Sequence, residues 1–300
     1  MDFVVLEDTT LRDGLQSEKI ELTLEEKALL FVMLVDAGVR RIQVGSFVNP
    51  GIVPQMAGVE ELLRLVNPPP EVRLSALVLN GRGLDRALEC GMKHVNLSVS
   101  ASETHSRKNV NRSFEEARAE MVALIGHAVS QGMAVQAGVQ CAFGCVYEGA
   151  IPEERVLATL HCLRESGAGE LYLADTTGMA HPRQITGMVE KATHLLPGTP
   201  LSLHLHDTRG LGLANIVAGY EAGVRAFDVA VGGLGGCPFV KGASGNVPTE
   251  DAVNLFARMG VDTGIRLNGL CRIVDWLESR LGRRLPGRMC RVLQHGAICE

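Results

Sequence analysis

Short runs of β-branched and aliphatic residues alternate along this chain with longer stretches in which apolar positions recur every three or four residues. That is the pattern of buried strands alternating with amphipathic helices. Strands are predicted at Phe3 to Leu6, Arg41 to Val44, Arg73 to Leu79, His94 to Val99, Ala134 to Val139, Glu170 to Ala174, Leu201 to His206 and Ala226 to Val231. Helices fall between and after them, at Thr23 to Ala37, Val59 to Val66, Gly83 to Glu89, Ser113 to Gln131, Pro152 to Ser166, Pro182 to Leu196, Gly212 to Ala222 and Glu250 to Met259. Thr23 and Glu26 have capping-box spacing, and Gly38, Gly91, Gly132, Gly167 and Gly223 stand where helices should stop.

Eight βα units in series predict a closed parallel sheet, the TIM (β/α)8 barrel, because right-handed crossovers leave few other arrangements. An open doubly wound sheet is the alternative. After Gly260 the pattern changes to one helix, Asn268 to Leu281, and a basic cluster from Arg280 to Arg291. The division expected is a barrel catalytic domain over residues 1–260 and a small helical C-terminal extension over residues 261–300. The extension would pack on the barrel or on a partner subunit.

Composition narrows the class. Hydrophobic residues make up 46% of the chain and aromatics 4%, so the core is aliphatic. A net charge of −5 gives no general attraction to nucleic acid or to an anionic membrane, and no apolar run approaches the ~18 residues a membrane span needs. The eight cysteines, Cys90, Cys141, Cys145, Cys162, Cys237, Cys271, Cys290 and Cys299, form no CxxC pair. With no leader ahead of the first strand, they read as reduced thiols of a cytoplasmic protein.

The candidate chemistry starts from LSLHLHD, Leu201 to Asp207. In a strand, residues two apart share a face, so His204 and His206 converge. Taken alone, a packed pair of histidines is the plainer reading. The barrel supplies partners, because catalytic groups gather at the C-terminal ends of its strands. Asp13 in DTTLRDGLQ follows strand one, Asn246 in GASGN follows strand eight, and strands one, seven and eight are neighbours in a closed barrel. Asp13, His204, His206 and Asn246 are thus a candidate ligand set for Mg²⁺ or Mn²⁺, with Zn²⁺ also allowed by the donors. Asp13 before Gly14 is equally a turn residue. Asp207 is a candidate to orient a histidine ligand; Asp175 and Thr176 either contact substrate or cap a helix. Glu250 is as much a helix-N-terminal carboxylate as a site residue. His105, His127, His161 and His194 fall away from the mouth and receive no function.

TTLRDGLQSEK, SFVNPGIVPQM, CAFGCVYEG, SLHLHDTRGLGLAN and VGGLGGCPFVKGASGNVPTED together resemble the 3-hydroxy-3-methylglutaryl-CoA lyases of the DRE-TIM metallolyase superfamily. The resemblance implies that the four residues named above bind a divalent metal, that Arg12 stabilises enolate charge, and that Cys237 rides on a mobile Gly-rich loop as the candidate acid. It makes His204 a candidate for moving the first proton, an acyl-CoA the substrate, and a homo-oligomer, most simply a dimer, the assembly. The expected activity is cleavage of 3-hydroxy-3-methylglutaryl-CoA or a related 3-hydroxy-3-alkyl acyl-CoA. The other readings are a Claisen-type condensing enzyme or aldolase of the same superfamily, and a non-catalytic homologue that binds metal or acyl-CoA.

The sequence departs from the family where substrate should lie. Gln43 stands in place of a Glu that pairs with the arginine, and Gln136, Gly138 and Gln140 stand in place of Arg, Tyr and Ser. Gln43, Gln136 and Thr176 are the expected substrate contacts beside Arg12. Loss of an aromatic at Gly138 predicts a larger pocket.

Overall fold

The computed structural model describes residues 2–236 and 245–294. Eight parallel strands close into a barrel in chain order: β1 (Val5–Asp8), β2 (Arg41–Ser46), β3 (Arg73–Leu77), β4 (His94–Ser100), β5 (Ala134–Gln140), β6 (Glu170–Asp175), β7 (Leu201–Leu205) and β8 (Ala226–Val229). The helices are α1 (Leu24–Ala37), α2 (Val59–Leu65), α3 (Gly81–Glu89), α4 (Glu103–Val110), α5 (Phe114–Ser130), α6 (Glu153–Glu165), α7 (Pro182–Leu195), α8 (Gly212–Glu221), α9 (Thr249–Arg258), α10 (Leu267–Leu281) and α11 (Met289–Gln294). The open sheet is excluded, since β1 pairs with β8 from Val5↔Ala226 to Asp8↔Val229.

Local rules account for the boundaries. The capping box of Thr23 and Glu26 starts α1, and Gly38 ends it at φ 104°, a left-handed conformation that only glycine adopts without strain. Some pieces were not predicted, α11 among them. A π-helical turn, Thr10–Gly14, follows β1, and α4 is too short and polar (ETHSRKNV) to show an apolar period.

The barrel interior is polar, in layers. At the N-terminal end Arg41 and Arg73 both bind Glu170, and Ser75 donates to Glu7 at 2.7 Å. One layer up, Asn96 donates to Gln136, which donates to Ser202 at 3.0 Å. The chain after Gly260 returns to the barrel: Gly269 of α10 packs against Ala37 of α1, Arg280 pairs with Glu26, and the backbone N–H of Met289 donates to Asp251 of α9 at 2.7 Å.

The cysteines require a correction. Cys271 on α10 and Cys290 on α11 form a disulfide, with Cα atoms 5.1 Å apart, because the chain between these helices folds back and brings the two positions within bridging distance. A spacing of 19 residues carries no sequence signal for such a bond. Cys90, Cys141, Cys145 and Cys162 are free thiols; Cys237 and Cys299 lie outside the described residues.

Candidate metal centre and active site

Three elements bring the candidate ligands together. His204 lies near the end of β7 and His206 just beyond it, and their Nε2 atoms face each other at 3.1 Å. The π-helical turn after β1 carries Asp13, whose Oδ2 is 3.6 Å from His206 Nε2 and 4.0 Å from His204 Nε2. A bridge between His206 and Asn246 brings the segment after β8 alongside, and Asn246 Nδ2 donates to Asp13 Oδ2 at 2.7 Å. One ligand atom each from Asp13, His204 and His206 fit within 4.8 Å of one another.

Burial and protonation fit a cation there. Burial acts to raise the pKa of Asp13, but the Arg12 guanidinium and then the His206 and His204 rings outweigh it and hold the carboxyl well below the usual range. His204 Nδ1 lies 3.1 Å from Asp228 Oδ2; donation there leaves the Nε2 lone pair facing the triad. Asn246 Oδ1 is buried with no hydrogen-bond partner among the described residues. A hydrogen-bonded core cluster would satisfy that oxygen. Two imidazole nitrogens and a carboxylate oxygen within 4.8 Å of one another, with the Asn246 amide alongside, fit a divalent metal better.

Gly235 makes the packing possible. Its φ is 108°, and a Cβ there would lie 2.5 Å from Asn246 Nδ2 and 3.2 Å from Asp13 Oδ2. Only glycine lets the loop pass this close to the triad. Glu250 anchors the same loop, accepting the Gly232 N–H at 2.9 Å. Burial pushes its carboxyl up to about 8, against the lowering effect of that hydrogen bond.

Beside the triad, Arg12, Gln140, Tyr172, Thr176 and His105 line a cavity at the mouth. Arg12 Nε donates to Gln43 Oε1 at 3.0 Å, and its Nη1 pairs with Asp13. The guanidinium charge is thus compensated by Asp13, while Gln43 fixes its direction.

Several expectations change. Gln136 lies below the cavity, its amide committed to Asn96 and Ser202 rather than turned to substrate. Gly138 does not enlarge the pocket, because the Tyr172 ring fills the space above it. Thr176 does line the cavity, and its hydroxyl accepts the Cys141 N–H at 2.9 Å. Gln140 donates to Ser98 at 3.0 Å. Asp207 caps α8 through the Gly212 N–H at 2.7 Å, and Asp228 orients His204 in its place. Asp175 accepts the Met179 and Ala180 N–H groups of the turn that leads into α7, whose own N-cap is His181, so it neither faces substrate nor caps the helix directly. His204 has both ring nitrogens engaged, one by Asp228 and one by the triad, which fits a ligand rather than a proton carrier. Cys237, the candidate acid, lies outside the described residues.

The sequence reading missed Asp228, Tyr172 and His105. Asp228 was detectable as an inward-facing acid inside a strand, AFDV. His105 reaches the cavity because α4 carries it there; burial lowers its pKa to about 4, against the pull of Glu148, and keeps it neutral.

The HMGL-like family model matches residues 4–277. The chain is 40% identical over 296 residues to an (R)-citramalyl-CoA lyase of Chloroflexus aurantiacus, covering 95% of this chain and 93% of that one. The HMG-CoA lyase structure from Bacillus subtilis is similar with a TM-score of 0.94 at 36% identity, covering 98% of this chain and 99% of that one. An HMG-CoA lyase from Acinetobacter baumannii, solved in complex with coenzyme A and 3-methylmalate, has a TM-score of 0.92 at 36% identity, covering 98% and 95%.

Proposed function

Because the chain belongs to the HMGL-like family and is an acyl-CoA lyase, we propose that it cleaves a 3-hydroxy-3-alkyl acyl-CoA to acetyl-CoA and a keto acid with the help of a divalent cation. The observation that carries this reading is the convergence of Asp13, His204 and His206, with the Asn246 amide bonded to Asp13 alongside them. Those four residues would hold the ion, Mg²⁺ or Mn²⁺ by preference and Zn²⁺ by donor type. When bound, it supplies Lewis-acid polarisation of the substrate's oxygens.

The chain's own residues do the rest. Asp228 keeps the His204 ring turned with Nε2 toward the triad. Arg12, aimed by Gln43, offers its guanidinium to the enolate oxygen that develops as the C–C bond breaks. Loss of the hydroxyl proton sends the bonding pair to the thioester α-carbon, and a proton returned to that carbon, with Cys237 as the candidate donor, gives acetyl-CoA. Arg283, Arg284 and Arg291 surround a recess beside Gly233 and Gly235, a cationic seat suited to coenzyme A phosphates. The relative solved with coenzyme A supports that ligand.

Two substrates stand closest: 3-hydroxy-3-methylglutaryl-CoA, after the lyases at 36% identity, and citramalyl-CoA, after the relative at 40%. They differ by one methylene between the hydroxyl-bearing carbon and the carboxylate. A homo-oligomer acting without nucleic acid completes the reading; among the described residues no helix is long and apolar enough to cross a membrane. Incubation of Mn²⁺-loaded protein with each thioester, followed by mass spectrometry, should yield acetyl-CoA and a keto acid from at least one. Metal binding with neither thioester cleaved would leave the non-catalytic alternative.

A further inference from the structure

Gly138 faces Tyr172 across β5 and β6, and Ser98 faces Gly138 from β4. The phenol lies along this row. A Cβ on Gly138 would come within 2.5 Å of the Tyr172 Cδ1 and Cδ2 atoms, and the phenol hydroxyl is hydrogen-bonded with Ser98. The ring holds this position only because residue 138 has no side chain.

The ring divides the barrel. Beneath it lies the amide network of Asn96, Gln136 and Ser202. Above it lie Gln140, Thr176, His204 and His206. Tyr172 is 8% exposed and borders the cavity. It is therefore the cavity's floor, and the depth available to a substrate headgroup ends at its face.

Charge decides where a carboxylate can lie in that space. Among the described residues lining the cavity, the sole guanidinium is Arg12, already paired with Asp13 and bonded to Gln43. The floor offers neutral groups: the Ser98 hydroxyl, the Gln140 amide and a phenol that burial pushes up to about 12. A carboxylate reaching down on an extra methylene meets the ring and neutral donors. One attached directly to the hydroxyl-bearing carbon stays beside the triad.

We propose that Tyr172, seated on Gly138, is the specificity residue of this lyase and restricts it to acyl-CoA substrates whose carboxylate is bonded directly to the hydroxyl-bearing carbon, so that the keto product is a 2-oxo acid. This rests on the lyase reading above. The hydroxyl proton leaves, the C–C pair becomes the thioester enolate, and that enolate takes one proton to become acetyl-CoA; no oxidant or co-reactant is needed.

The test uses the full chain loaded with Mn²⁺ and has two readouts. Calorimetry compares binding of free 2-hydroxy-2-methylsuccinate and 3-hydroxy-3-methylglutarate, and turnover compares acetyl-CoA release from the two corresponding thioesters. The wild type should favour the shorter acid by at least about ten-fold, the range that one methylene commands in a fitted pocket. Tyr172→Phe, which keeps the ring, should retain the ratio. Tyr172→Ala, checked for folding by circular dichroism, should reduce it to about two-fold or reverse it by opening the cavity toward Gln136. Equal or tighter binding of the longer acid by the wild type overturns the proposal, as does an unchanged ratio in folded Tyr172→Ala. If neither thioester is cleaved while the binding preference still follows the ring, the lyase reading fails and the role of Tyr172 in headgroup choice is upheld.

Discussion

Both ends of the barrel bury charged side chains, and they treat them in opposite ways. At the N-terminal end Glu170 receives Arg41 on one carboxylate oxygen and Arg73 on the other, and the atoms left without partners nearby, Arg73 Nε and His94 Nδ1, belong to a cation and to an imidazole. At the C-terminal end the atoms left over include acceptors, Asn246 Oδ1 and Asp228 Oδ1, and two imidazole nitrogens face each other. A cluster closed on itself stabilises the closed sheet. A cluster with unfilled acceptors is built to receive a cation, and in such barrels that end carries the chemistry.

The largest expected effect comes from breaking the open end. Asp13→Ala removes the carboxylate shared by the triad and Arg12, and acetyl-CoA release should fall on the order of 10³-fold while the urea midpoint stays near wild type. Next, Asp228→Asn loosens the orientation of His204 without removing a ligand. Mn²⁺ affinity, followed by calorimetry, should drop roughly 10- to 100-fold.

The closed end should respond in stability and not in rate. Glu170→Gln removes the carboxylate that Arg41 and Arg73 share, leaving Glu7 as the nearby acid at 3.9 Å from Arg41, at a site 24% exposed, so the cost should be about 2 kcal/mol in urea unfolding, below the value for a fully buried pair, with turnover of the folded protein unchanged. Burial acts to raise the Glu170 pKa, but Arg73 and Arg41 outweigh it and bring it below the ordinary 4.5. The stabilisation is therefore present above pH 4.5 and lost as pH falls through the folded-state value, so wild type and variant should converge in acid. The smallest effect is at Glu250, whose carboxyl is raised to about 8. The folded chain keeps a proton that the unfolded chain has released above pH 4.5, so this group's contribution declines as pH rises toward 8. Glu250→Gln should gain on wild type between pH 5 and pH 8; a constant difference across that window contradicts the assignment.

The parts legible in the sequence are those written in local patterns. Strand and helix periodicity specified the barrel, and the spacing of His204 and His206 put two imidazoles on one face. The parts that were not legible depend on what another strand contributes. Gly138 reads as empty space until Tyr172, its partner across the sheet, fills it. Gln136 reads as a substrate contact until Asn96 and Ser202 claim its amide. Asp207, next in sequence to His206, was the nearer candidate to orient a histidine, yet Asp228 on β8 does so because its side chain points inward from the adjacent strand. The bond between Cys271 and Cys290 arises from a turn between two helices that no periodicity encodes.

The most direct test of the open end is a calorimetric titration with Mn²⁺ of wild type, Asp13→Ala and Glu170→Gln. One ion per chain should bind to wild type and to Glu170→Gln with similar affinity, and binding should be lost in Asp13→Ala. Equal binding by all three, or none by the wild type, would contradict the assignment of Asp13, His204 and His206 as the metal centre.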